Sequence, residues 1–173
     1  MGHWKILLAA TLATILSACS TTKMSAVQPA ARPAKAITTI ALAPGSGVMG
    51  EAIGVELFNR GITVVDADQA RSIIARAGLQ EYEMTTTAGY AALREKGLEA
   101  VLSVKAVAAD DGTPESASVR VTDTTTGAIL AGVSWQNGWG GMRGSMADRT
   151  MRANLSSAAQ DIAKEIHQRL SGQ

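Results

Sequence analysis

An intrachain disulfide is closed to this chain, which carries a single cysteine, Cys19. One thiol allows no intrachain bridge and no sulfur-rich zinc site. Histidine is nearly as scarce, with only His3 and His167. His167 falls in the last turn of an expected helix, where the dipole favours a cation, so no Ser-His-Asp arrangement can be built on it. Neither sign of charge dominates: 16 Lys plus Arg face 15 Asp plus Glu. A balanced surface leaves no electrostatic footprint for nucleic acid or anionic lipid. Beyond the N-terminal region no apolar stretch approaches the roughly twenty residues a membrane span needs. Internal repeats are absent. Aromatic residues make up 3% of the chain, so Trp135 and Trp139, four positions apart, stand out.

What is present begins at the N-terminus. Met1 to Lys5 forms a short n-region and Ile6 to Ile15 an apolar core, followed by Leu16-Ser17-Ala18-Cys19. A small-residue cleavage site after an apolar run of this length is an export signal, too short for a permanent span. Leu16-Ser17-Ala18-Cys19 resembles the lipobox of exported lipoproteins. That resemblance implies a cysteine diacylated on sulfur, cleavage before it, and acylation of its new amine. Several acyl chains exceed the two-signal threshold for stable anchoring. Ser20, by resemblance to lipoprotein sorting signals, implies the outer membrane, with the body facing the periplasm. The only thiol is then consumed by lipid.

Residues 1–18 therefore read as the signal peptide and 19–36 as a lipidated flexible tether. Residues 20–36 (STTKMSAVQPAARPAKA) are rich in Ser, Thr, Ala and Pro and bury too little to offset ordering entropy. Extended, they reach on the order of 50 Å. Residues 37–173 form one domain. Its expected order is β-α-β-α-α-β-β-β-α: strands at 37–43, 62–65, 100–108, 116–122 and 128–135, and helices at 50–60, 68–77, 88–96 and about 145–170. Asp66 or Asp68 suits the cap of the second helix. In the last helix Met151, Leu155, Ala158, Ile162, Ile166 and Leu170 recur at helical steps and form one apolar stripe. A β-α-β crossover followed by an antiparallel meander predicts an α/β (α+β) fold, a mixed sheet with helices packed on it.

Four local marks carry a family resemblance: a hydrophobic first strand ending in Pro44-Gly45, the strand end Thr63-Val64-Val65-Asp66, the lead-in Gly97-Leu98-Glu99-Ala100-Val101-Leu102, and the hairpin from Val121-Thr122-Asp123 to Thr126-Gly127. In this order, behind a lipobox, they resemble the periplasmic domain of the CsgG family of outer-membrane lipoproteins, with its CsgG/TolB-N-like fold. Relatives include a peptidoglycan-synthase activator and an accessory protein of exopolysaccharide export. The resemblance implies a non-enzymatic subunit whose partners are the outer membrane, other envelope proteins and further copies in a ring. Curli secretion channels of the family carry long amphipathic hairpins. The loops here are too short for barrel strands of about nine to eleven residues, so this chain is not itself the pore.

Three features invite chemistry. Gly45-Ser46-Gly47-Val48-Met49-Gly50 is a literal G-x-G-x-x-G between a strand and a helix, with Asp66 at the end of the next strand. That spacing is the dinucleotide fingerprint. The competing reading is a tight β-to-α loop whose glycines take positive φ, and the meander that follows is not how a dinucleotide fold continues. Trp135 and Trp139, before and in a glycine-rich loop, are candidates for a contact surface, against a core role for Trp135 and an edge-covering role for Trp139. Arg143, Arg149 and Arg152 gather with Asp148 at the expected start of the last helix. Cations there oppose the dipole and suggest a partner carboxylate, against the reading of a solvated charged face. Asp123 and Gly127 read as turn chemistry, and Glu81/Glu83 and Asp110/Asp111 as loop carboxylates. No cofactor and no metal site is expected. The sequence thus favours a lipid-anchored, non-enzymatic assembly subunit. The alternatives are a peptidoglycan-synthase activator and, third, a nucleotide-binding enzyme.

Overall fold

Among the described residues, six strands share one sheet, in the spatial order β1-β6-β5-β4-β2-β3. The computed structural model describes residues 22–27, 35–138, 142 and 144–171, except the side chains of Val27, Ala147 and Arg149. The elements are β1 (Lys23–Val27), β2 (Thr39–Leu42), α1 (Gly47–Phe58), β3 (Thr63–Val65), α2 (Ala67–Arg76), a 3-10 turn (Glu81–Thr85), α3 (Thr87–Glu95), β4 (Ala100–Ala108), β5 (Pro114–Asp123), β6 (Ile129–Gln136), α4 (Met146–Met151) and α5 (Leu155–Leu170). β2 pairs in parallel with β3 and β4, while β4-β5-β6-β1 run antiparallel. The expected mixed sheet flanked by helices is what forms.

The burial pattern explains the layering. α1 and α5 cover one face, where Ile40, Leu42, Ile53, Leu57, Leu102, Val119, Trp135, Ile162 and Ile166 build the main core. α2, α3 and the 3-10 turn cover the other face only over β2 and the start of β4, around Ala41, Ile74, Met84, Leu93 and Val101. β4 accordingly begins as a continuous buried run and ends exposed. A strand buried on both faces needs apolar residues at every position, whereas one covered on one side alternates. β5 and β6 alternate: Ala117, Val119 and Val121 are buried, and Ser118 and Arg120 are exposed. Ser25, Ser134, Ser118 and Lys105 stand in register across the uncovered face.

Two expectations are corrected. The stretch read as a free tether contains β1, which pairs antiparallel with β6 from Lys23↔Gln136 to Val27↔Gly132. Composition concealed this, because an edge strand facing solvent needs few large apolar groups. The long final helix is two. α4 ends at Met151, Arg152 is extended at φ −73°, ψ 134°, and Asn154 caps α5 by accepting from Ser157 N at 2.9 Å. Buried Asn137 holds the break open. Its amide accepts from Ala153 N and donates to Ala153 O, each at 2.9 Å, and donates to Pro114 O at 2.7 Å. A tertiary side chain therefore takes the backbone groups that a continuous helix would have used. The apolar stripe holds from Ala158 to Leu170, but Met151 lies on the surface.

Candidate functional site at the β1–β6 end of the sheet

The end of the sheet where β1 starts and β6 stops collects most of the unusual residues. Gln136 closes β6 opposite Lys23. Asn137 N donates to Glu115 O at 2.9 Å, fixing the start of β5 beside it. Ser145 caps α4 by accepting from Asp148 N at 3.1 Å. Asp148 turns inward and is 2% exposed. Its Oδ2 accepts from Gly144 N at 2.9 Å and its Oδ1 from Arg152 Nε at 3.1 Å. Arg152 Nη2 stands 4.0 Å from Glu115 Oε1. A buried carboxylate is stable only when its lone pairs are filled, and the guanidinium fork and a backbone amide do this here.

Arg152 separates two clefts. One, of about 440 Å³, is lined by Lys23, Glu115, Ser116, Gln136, Asn137 and Arg152. The other, of about 640 Å³, lies between the β4–β5 hairpin and α4 and includes Asp110, Asp111, Gly144 and Asp148. The carboxyl of Asp111 is held below its ordinary value, first by the Thr113 backbone N–H and then by the Thr113 side chain, with Arg152 adding a smaller attraction. No pattern in the sequence around 110–113 predicts that shift. It is an effect of the turn, where Thr113 N donates to Asp111 Oδ1 at 2.9 Å.

The predicted site residues separate on this geometry. Trp135 is 0% exposed and belongs to the main core, so it is no surface contact. Its Nε1 finds no acceptor among the described residues. Arg152 lies past the C-terminus of α4, where a cation is favoured, and it pairs inside the chain. It does not stand free against a helix N-terminus. Trp139 and Arg143, like Cys19, lie outside the described residues, as does the side chain of Arg149. Sequence reading missed Asn137 and Asp148 as the organising groups. The signal for Asp148 was the Ser145-x-x-Asp148 cap spacing, while Asn137 had none.

The glycine loop adopts the turn reading. Gly45 and Gly47 take φ +78° and +60°, and nothing lies within 4 Å of a Cβ added at either. They are needed for conformation and not for close approach. Ser46 is buried. Its hydroxyl donates to Ala43 O at 2.7 Å and accepts from Val104 N at 3.3 Å, sealing the loop to β4. Asp66 spends its carboxylate on the α2 cap, accepting from Gln69 N at 2.7 Å. α1 starts at Gly47, three residues earlier than expected. Its outer side leaves Val48, Val55 and Phe58 exposed, with Phe58 at 66%. Val55 and Phe58 rim a shallow groove with Leu42 and Val64.

Among the described residues, the loop carboxylates Glu81, Glu83 and Asp123 each have a structural partner. Glu81 is paired with Arg71 at 2.7 Å, and Glu83 accepts from Gln80 N at 2.7 Å. Asp123 Oδ1 accepts from Thr125 N and Thr126 N, both at 2.7 Å, as its turn role requires. Among the described residues no three His, Cys, Asp or Glu side chains gather to hold a metal ion. Among the described residues, too, no helix is long and apolar enough to cross a membrane.

No family model matches the chain, and no curated protein matches its sequence. Solved structures do resemble it. The PelC dodecamer from Paraburkholderia phytofirmans aligns with TM-score 0.51 at 20% identity, covering 88% of this chain and 100% of that one. A single-substitution variant of the same dodecamer aligns at 0.51 and 19%, with the same coverage. Lipoprotein GNA1162 from Neisseria meningitidis reaches 0.46 at 18% identity, over 75% of this chain and 99% of that one. At such identities the likeness is one of fold: this chain has the PelC-type mixed sheet flanked by helices, the CsgG/TolB-N-like architecture that the local motifs implied.

Proposed function

We propose that the chain is a non-enzymatic lipoprotein of the outer membrane, held by Cys19 and facing the periplasm, that serves as an assembly subunit in secretion or envelope biogenesis. It works as a homo-oligomeric ring in contact with other envelope proteins. The observation that carries this reading is the fold shared across 88% of the chain with PelC, which is a dodecamer. The lipobox supplies the address. Two features support binding over catalysis. The buried charges at the β1–β6 end are committed to one another, and α1 keeps Val48, Val55 and Phe58 in water. A neighbouring subunit that covered those side chains would gain about 1.5–3 kcal/mol for each large one fully buried.

The test is the mass of the lipidated protein extracted in mild detergent, read by mass photometry, alongside palmitate labelling. A multi-subunit particle that falls apart in a Val55→Glu, Phe58→Glu double variant is the expected result. A monomer would refute the ring and favour the synthase-activator alternative. An unlabelled protein that fractionates with cytosol would refute the location.

A further inference from the structure

β1 changes what the anchor does. The chain enters the sheet at Lys23, which pairs with Gln136, so only residues 20–22 separate it from Cys19. Four Cα steps span at most about 14 Å. The polar headgroup layer on each side of a bilayer is itself several ångströms deep. An acylated Cys19 at the base of that layer therefore brings Lys23, and the end of the sheet that holds it, down to the lipid surface. A free tether of seventeen residues would have let the body stand off; a strand locked into the sheet does not.

The same end carries apolar side chains that the fold leaves uncovered. Met142 is 84% exposed and Met146, in the first turn of α4, is 85% exposed. Both belong to the segment that follows β6. Asn137, Gly138 and Arg152 of that segment share a cleft with Lys23. Ser145 N donates to Met142 O at 2.9 Å, and Asp148 Oδ2 accepts from Gly144 N at 2.9 Å, so described backbone beside each methionine is hydrogen-bonded into the fold. Methionine is flexible and polarizable, well suited to a disordered apolar phase. Lys23 is exposed and forms no ion pair among the described residues. Its stem can lie along acyl chains while its ammonium stays at phosphate level.

We infer that the β1–β6 end of the body is a membrane-contact surface. Residues 20–22 act as a short leash, and Met142 and Met146 enter the boundary between headgroups and acyl chains of the leaflet that holds Cys19. This inference rests on the lipid anchor of the proposed function and adds a fixed orientation to it. The uncovered serine-rich sheet face and the α1 groove then stand over the membrane, open to partners from the side.

Depth quenching tests it on the full lipidated protein in phosphatidylcholine vesicles. Met142→Cys, Met146→Cys and, as a control, Tyr82→Cys on the distant 3-10 turn are each labelled with an environment-sensitive fluorophore. Vesicles are prepared with and without lipid spin-labelled near the headgroup. Circular dichroism melts confirm that each variant is folded. The expected result is at least a twofold quenching at 142 and 146 and less than 10% at 82. Equal, weak quenching at all three positions in protein that floats with the vesicles would overturn the contact surface while leaving the anchor intact. Protein that fails to float, and that took up no palmitate in cells, would remove the anchor and the inference together. A second arm inserts a fifteen-residue Gly-Ser linker between Thr22 and Lys23. Quenching should fall when the leash is lengthened; unchanged quenching would overturn the leash.

Discussion

Replacing Glu99 by glutamine should unlatch the lead-in to β2, and the structure sets the size of the effect. Glu99 sits just before β4. Its Oε2 accepts from Thr38 N at 2.7 Å, Thr38 Oγ1 at 3.0 Å and Thr39 N at 3.2 Å, while Oε1 accepts from Lys35 Nζ at 3.0 Å. Burial pushes this carboxyl up. The Thr38 amide, the Lys35 ammonium, the Thr38 hydroxyl and the Thr39 amide outweigh it, and the carboxyl is held at about 2, down from 4.5. At about 1.4 kcal/mol per unit the drop corresponds to roughly 3 kcal/mol at neutral pH. The side chain is 26% exposed, and solvent screening of the Lys35 contact reduces this to about 2 kcal/mol. Because the folded state holds the group below its unfolded value, the unfolded chain takes up the proton first as pH falls. The contribution is complete above about pH 4.5 and is lost progressively toward pH 2. Glu99→Gln removes the charge and turns a donor toward donors. It should cost about 2 kcal/mol at pH 7, or a Tm lower by roughly 5–8 °C. Urea titrations of both proteins at pH 7, 5, 4 and 3, followed by circular dichroism, should show the gap closing with acidification. A gap that stays constant across that range would refute the charge argument, and one below about 0.5 kcal/mol at pH 7 would refute the latch.

Three further outcomes follow from the packing. Gly89→Ala should cost at least about 2 kcal/mol, because the new Cβ would overlap the Glu83 carbonyl oxygen and lie 2.6 Å from Met84 Cα, both backbone atoms that cannot swing away; thermal melts check this, and a loss under about 0.5 kcal/mol would contradict the geometry. Asn137→Ala strands the Ala153 amide and the Pro114 carbonyl and should cost about 2–4 kcal/mol by urea unfolding. The same variant should increase hydrogen exchange around 152–154, and unchanged exchange would show that another contact breaks the helix. NAD, NADP and ATP should leave Tm within about 1 °C, since Asp66 is committed to its cap; a ligand bound at 100 times its Kd adds about 2.7 kcal/mol, so a reproducible rise of several degrees would restore the nucleotide reading.

The parts that were legible in sequence are those where one strand or helix answers to its own covering. β5 alternates because one face is wet, and β4 opens with an unbroken apolar run because both its faces are covered there. Asp123 and Gly127 mark their turn by local hydrogen bonding and backbone freedom, which do not depend on distant residues. The succession from β2 to β6, and through it the mixed sheet flanked by helices, was therefore readable. Errors arose where a remote group decided a local state. β1 looked like linker because its partner β6 is more than a hundred residues away. Nothing between Met151 and Leu155 breaks a helix by propensity, yet Asn137 does so from the end of β6. Arg152 read as free for a partner because Asp148 and Glu115 reach it only after folding.

The sequence alone determined the lipobox-like pattern at 16–19, the presence of a single thiol, the balance of charge and the succession of elements from β2 to β6, because each is written in composition or short-range pattern. The tertiary structure alone decided that residues 23–27 belong to the sheet, that Trp135 is core, that Asp148 and Arg152 satisfy each other, and that the stretch between Cys19 and the body is only a few residues long. These are properties of pairs far apart in the chain, and a pair is fixed only when the backbone brings both members within hydrogen-bonding or packing distance.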